Sequence, residues 1–208
     1  VENGDVEVYV IIAINEILKQ KTTSKATHGL KRFIAKAIEN AWLNFVVRKS
    51  KHNHNIRQAR KVMKLLNKDE FRSSAPKFYG YVRKVDPLVF EELLLYCFAV
   101  RGFKIRRNSR YTGDGGVDGM VKLGDNKNVY NSGAWWLIQA KRYQSHINPQ
   151  HIHDFKRVID QIPCAGGLFI HTGKTGNKSY QHLGEYQHKL QLISGANLHQ
   201  LICYALER

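Results

Sequence analysis

Glu91, Asp118, Gln139 and Lys141 are the residues of this chain whose types and spacing could together do chemistry. Asp118 lies in Thr112-Gly113-Asp114-Gly115-Gly116-Val117-Asp118-Gly119, a glycine-rich turn that feeds a strand. Gln139-Ala140-Lys141 closes a hydrophobic run opened by Trp135-Trp136-Leu137-Ile138. In a strand, residues 139 and 141 leave the same face, while Ala140 turns away and keeps its carbonyl available. If the two strands lie side by side, a carboxylate, an amide or carbonyl oxygen and a lysine converge. Magnesium takes hard oxygen ligands and keeps several waters, so one aspartate, a carbonyl and a substrate phosphate suffice to hold it. A lysine beside a bound cation and water gives up its proton more readily and can help generate the attacking hydroxide.

Three other patterns carry less. His52-Asn53-His54 is a contiguous triplet in a basic segment and lacks the strand-strand-helix spread that a histidine-based metallonuclease needs. Gly173-Lys174-Thr175 follows a strand, but the glycine that a phosphate-binding loop requires five positions earlier is Leu168, so it reads as a surface turn. His151 and His153 fall on a helix, where positions two apart do not share a face, and read as surface histidines.

The elements that must position the four candidates follow from periodicity. Asp86-Pro87 supplies an N-cap and a first helical residue, and Leu88 to Arg101 is apolar nearly all round before Gly102 stops it. Such a helix is expected to be buried, which makes Glu91 and Glu92 conspicuous. Strands are expected over 103–107, 117–123, 135–142 and 167–171, with a short one at 191–194. Helices are expected over 149–161 and 177–190, with an amphipathic closing helix through Leu198, Leu201, Ile202 and Ala205. This order predicts an α/β fold, a mixed sheet flanked by helices.

The N-terminal part differs. Residues 6–18 read as a short apolar helix, and Leu30 to Val46 as a long helix with apolar spacing of three and four. A second basic helix is expected over Ile56 to Leu66, and Phe71 to Lys84 reads as a linker. The 208 residues carry 33 Lys and Arg against 17 Asp and Glu, a net charge of +16. Residues 19–84 hold 18 of those cations and only three acids, Glu39, Asp69 and Glu70, so nearly all the excess lies in one third of the chain. That much like charge repels itself unless an anion binds, and points to nucleic acid through release of phosphate counterions. Lys31, Lys36, Arg57, Arg60, Lys61 and Lys64 are the candidate contacts. The expected division is a basic helical region over 1–85 and a second domain over 86–208. No apolar run approaches the length of a membrane span, and three scattered cysteines offer neither a disulfide framework nor a four-cysteine zinc site, so a reducing, cytoplasmic setting is expected.

Taken together, Phe90-Glu91 with Gly102-Phe103, the Thr112 to Gly119 turn, Gln139-Ala140-Lys141-Arg142-Tyr143, Gly167-Leu168-Phe169-Ile170 and Ile193-Ser194-Gly195 before Leu198 resemble the Mrr-type catalytic domain. The resemblance covers about residues 88–204. It implies the restriction-endonuclease-like fold and a PD-(D/E)xK site. The activity implied is divalent-metal-dependent cleavage of DNA, with Mg²⁺ or Mn²⁺, usually in restriction or defence. On this resemblance Asp118 is the acidic metal ligand, with Asp114 a secondary candidate. Gln139 and Lys141 are the paired strand residues and Glu91 the helical glutamate. Gln139 and the Ala140 carbonyl complete or support coordination, and Lys141 activates water. Arg142 and Tyr143 either touch the DNA backbone or support the strand. Because one site cuts one strand, a double-strand cutter of this size is expected to be a homodimer.

The chain departs from the wider fold in carrying neutral Gln139 where many relatives have a carboxylate. It also has a long step from Asp118 to Gln139, with a loop over Asn126 to Gly133, and it ends the fourth strand in Thr172-Gly173-Lys174-Thr175-Gly176. Two other functions fit the same residues: a structure-specific nuclease of the Holliday-junction type, and a non-catalytic DNA-binding module on the same fold. Branched against linear DNA separates the first, and the presence of Asp118 and Lys141 speaks against the second.

Overall fold

The structure, a computed structural model, describes residues 25–108, 116–124 and 134–207. The expected helix over 6–18, Asp114 with its turn, and the loop over 126–133 lie outside them. The chain forms two compact units that divide between Asn53 and His54.

That division falls inside one helix. α1 (Lys25–Leu66) runs for 42 residues, where two separate helices were expected. The correction has a local cause: no glycine or proline occurs between Leu30 and Leu66, so the polar run from Arg48 to Asn55 changes what the helix presents without breaking it. In the first unit, Phe33 and Val47 are exposed, as is Lys36. In the second unit, Ala59, Met63 and Leu66 are fully buried, while Arg57, Arg60, Lys61 and Lys64 are exposed.

The expected linker is two short helices, α2 (Asp69–Arg72) and α3 (Ala75–Val82). Ser74 caps α3 by accepting from the Lys77 amide, and Pro76 occupies its first turn. Phe78 and Val82, four apart, point into the core at 0 % exposure. Serine, proline and glycine in this stretch serve a helix start and a solvent face, not a chain break.

From Asp86 the reading by periodicity holds closely. The Asp86 carboxylate accepts from the amides of Leu88 and Val89 and starts α4 (Pro87–Val100), which ends where Gly102 takes φ +86°. Then come β1 (Lys104–Arg107), β2 (Gly119–Leu123), β3 (Ala134–Lys141), α5 (Pro149–Gln161), β4 (Gly166–His171), α6 (Asn177–Leu183), β5 (Leu190–Ile193) and α7 (Gly195–Cys203). The helix expected over 177–190 is shorter, because Gly184 at φ +47° turns the chain into a 3₁₀ segment, Gly184–His188.

The five strands lie in sequence order in one mixed sheet. β1, β2 and β3 are antiparallel, and β3, β4 and β5 are parallel. Period-two alternation along β3 splits the core into two layers. Ile138 and Ala140 join Val121, Leu168 and Ile170 in a cluster with Leu93 and Leu94 of α4 and Leu198 and Ile202 of α7. Leu137 and Phe169 join Ile152, Phe155 and Ile159 of α5 on the other face. The sheet is thus covered by helices on both sides, as an α/β fold requires.

Candidate active site

The register decides which residues meet. Gly119 lies opposite Ile138 in the antiparallel β2–β3 pair, and the Asp118 amide donates to the Ile138 carbonyl at 2.9 Å. This sets Asp118, the residue before β2, beside the last residues of β3. Its carboxylate Oδ2 accepts from the Ala140 amide at 2.6 Å, a short charge-assisted bond that fixes the side chain against the strand end. Asp118, Gln139, Ala140 and Lys141 therefore come together as expected from their spacing.

Gln139 is 7 % exposed, and its Oε1 is buried without a hydrogen-bond partner. An orphaned buried acceptor costs on the order of 1–3 kcal/mol, so it needs an account. Gly116 closes over the same side chain: it takes φ +83°, and a Cβ there would stand 2.5 Å from Gln139 Nε2. Gly116 is thus required both by backbone conformation and by space.

Across the parallel pair, Gln139 lies opposite Phe169 and Lys141 opposite His171. All four side chains share the face that α5 covers. His171 is fully buried, and burial pushes its pKa down to about 4 from the usual 6.5, against a smaller opposing effect of the Gly173 backbone, so the imidazole is neutral.

Glu91 sits half-buried on α4, the helix that packs on the opposite sheet face. Its neighbour Glu92 is 3 % exposed and pairs with Arg107 at 2.9 Å. Arg107 ends β1 opposite Gly119, so this ion pair ties the start of α4 to the end of the sheet where Asp118 lies. Glu91 precedes Glu92 by one position on α4. Of the two conspicuous glutamates, one is thus accounted for by a partly buried ion pair.

Beyond Lys141 the two parallel strands continue as a clasp. The Thr172 amide donates to the Lys141 carbonyl, and Thr172 Oγ1 accepts from the Tyr143 amide and donates to the Tyr143 carbonyl. The Lys174 amide donates to Ser145, and the Ile147 amide to Lys174. Gly173 is needed here, because a Cβ would stand 2.7 Å from the Ser145 carbonyl oxygen. Arg83 locks the clasp from the chain preceding α4, donating to the Thr172 carbonyl through Nε and Nη2 at 3.2 and 2.9 Å. Arg142 donates through Nη1 to the Arg83 carbonyl, and the Tyr143 hydroxyl pairs with His151 Nδ1. Both Arg142 and Tyr143 thus have partners within the protein.

His151 is therefore not a plain surface histidine, whereas His153 is exposed as expected. Gly173-Lys174-Thr175 is a turn, but one paired to the chain after β3. Spacing along the sequence missed Arg83, His151, His171 and Thr172. The available signal was the polar His171-Thr172 pair ending a buried strand.

The model of the Mrr_cat family, described as restriction endonuclease, matches residues 82–202. The chain belongs to this family. No curated protein sequence matches it. Among solved structures, the MspJI restriction endonuclease in complex with a 27-mer oligonucleotide is similar, at 23 % identity and a TM-score of 0.45 over 64 % of this chain and 31 % of the other. The DNA modification-dependent restriction endonuclease AspBHI is similar at 16 % identity and a TM-score of 0.45, over 62 % of this chain and 35 % of the other. The chain thus matches about a third of the length of these two proteins. Within this restriction endonuclease domain, the match begins at Val82, so it takes in Arg83 and the clasp, α4 with both glutamates, and all five strands. Among the described residues, no helix is long and apolar enough to cross a membrane.

Proposed function

We propose that this chain is a divalent-metal-dependent DNA endonuclease that hydrolyses phosphodiester bonds in restriction or defence, acting in the cytoplasm and as a homodimer when it cuts both strands. The observation that carries the reading is the convergence at one strand end of the Asp118 carboxylate, held by the Ala140 amide, with the orphaned Oε1 of Gln139 and the adjacent Lys141.

The donor set fits Mg²⁺ or Mn²⁺. Both favour oxygen ligands, and a buried amide oxygen with no hydrogen-bond donor is an acceptor left for a cation. One carboxylate and neutral oxygens suffice for such an ion when substrate phosphate completes its shell. Asp118 and Gln139, with the Ala140 carbonyl, would hold it. When bound, such an ion polarises a phosphoryl oxygen and makes its water more acidic.

The chain's own residues do the rest. Asp118, pinned by a backbone amide, offers its charge without having to reorganise. Lys141 leaves the same face as Gln139; its ammonium faces the phosphate, stabilises charge developing there and exchanges a proton with the attacking water. Glu91 orients that water from the start of α4. Exposed Lys36, Arg57, Arg60, Lys61 and Lys64, with Lys31 on the same helix, contact backbone phosphates, which gives affinity without sequence preference. Arg142 and Tyr143 act mainly by supporting the strand end, given their bonds to Arg83 and His151.

The test is cleavage of plasmid DNA, methylated and unmethylated, with and without Mg²⁺, comparing the unaltered protein with Lys141→Ala. Metal-dependent nicking or linearisation that disappears in the variant is the expected result. Salt-sensitive binding of both DNAs with no cleavage under any condition would sink the reading.

A further inference from the structure

Two buried polar atoms on the site face of the sheet lack a hydrogen-bond partner: Gln139 Oε1 and His171 Nδ1. They flank one residue. Gln139 precedes Lys141 by two positions on the same strand face, and His171 lies directly opposite Lys141 in the β3–β4 register. Lys141 brings three N–H donors and no acceptor, and among the described residues no hydrogen bond or ion pair engages its ammonium. By register, a residue rich in donors thus stands next to two residues whose buried polar atoms have no partner.

Resting on the nuclease reading of this site, we propose that His171 is a positioning residue for Lys141, its Nδ1 accepting a hydrogen bond from the ammonium and aiming it at the scissile phosphate.

Three features support the assignment. His171 Nε2 lies 3.3 Å from Thr175 Oγ1; with the ring proton on Nε2 donated there, Nδ1 is left as an acceptor. Complete burial keeps the ring neutral, so it orients the lysine without the charge repulsion an imidazolium would bring. The ring is also fixed in place: Phe169 and Tyr143 pack against it at centroid distances of 5.7 and 6.2 Å, and Tyr143 is itself held by His151 and Thr172. A neutral acceptor has a further chemical merit. A carboxylate in its place would pair with the ammonium and draw it from the phosphate, whereas an imidazole nitrogen uses one donor and leaves two. The clasp beyond β3 then has a purpose, since it sets the position of the ring that sets the lysine.

The experiment has two arms. The first needs no activity: ¹⁵N resonances of the histidine rings are compared between the unaltered protein and Lys141→Ala. The His171 Nδ1 resonance is expected to shift downfield on loss of its donor; an unchanged resonance overturns the proposal, whether or not the protein cuts DNA. The second arm measures cleavage. His171→Phe keeps a ring and removes both nitrogens, and is expected to lower kcat about ten- to a hundredfold with KM for DNA unchanged. His171→Asn, which restores a polar side chain, is expected to recover part of it. A kcat in His171→Phe that follows thermal stability alone overturns the proposal. Failure of the unaltered protein to cleave any DNA sinks the nuclease reading, while the ring resonance still decides the contact.

Discussion

On one face of β3, Ile138 and Ala140 lie under α4 and α7 in an apolar layer; on the other, Gln139 and Lys141 alternate with them and look across to Phe169 and His171. The same four residues of backbone serve both faces, and the division between packing and chemistry is made by nothing more than strand periodicity. Ala140 joins the two. Its methyl belongs to the apolar layer, and its amide holds the carboxylate of Asp118. The site therefore borrows its rigidity from the layer behind it, as a preorganised site must.

The sharpest way to break this comparison is to alter one residue from each face. Asp118→Asn is expected to keep the fold and lower cleavage about a hundred- to a thousandfold, the scale of losing one preorganised electrostatic contact. Ile138→Ala, on the packing face at 1 % exposure, is expected to cost about 2–5 kcal/mol of stability in urea unfolding. An Ile138→Ala protein as stable as the parent would show that the two faces are not divided in this way.

An intermediate effect concerns acid. The His171 imidazole takes up a proton near 6.5 in the unfolded chain but is held neutral to about 4 in the fold. Its contribution to stability is complete above the higher value and is lost as pH falls between the two, by up to about 3 kcal/mol. Urea midpoints measured from pH 7 to 4 should fall for the parent and fall less for His171→Asn. Parallel curves would show that this face does not hold a neutral histidine.

The smallest expected effect sharpens the comparison at the turn. Gly116→Ala places a methyl at φ +83° against the Gln139 amide. A cost of about 1–2 kcal/mol is expected, with a several-fold rise in the Mg²⁺ concentration needed for half-maximal cleavage. Loss of stability alone, with the Mg²⁺ requirement unchanged, would separate this glycine from the proposed ligand Gln139.

Local signals made much of this legible. Asp86-Pro87 and Gly102 bracketed α4 to within a residue, and the Pro149 to Gln161 helix was read with its observed bounds, because caps and glycine stops act within one turn. Strand alternation put Gln139 and Lys141 on one face. The stretch from Phe71 to Lys84 misled, since Ser74, Pro76 and Gly80 read as punctuation while Phe78 and Val82 were already spaced as a buried helix face. The uninterrupted α1 was missed because a polar stretch resembles a break when only its apolar positions are followed.

The amino-acid sequence by itself determined the family, the order of strands and helices from Asp86 onward, and the residue types that could meet at Asp118 and Lys141. Those rest on short-range rules: periodicity, capping and the conformational freedom of glycine. Only the tertiary structure decided that Asp118 is held by Ala140, that Glu92 is committed to Arg107, that Tyr143 belongs to His151, and that a buried neutral histidine stands opposite Lys141. Each of these joins side chains or strands far apart in the chain or on different elements. Which groups become neighbours, and which polar atoms lose water without gaining a partner, is set by sheet register and burial, and no local rule carries that information.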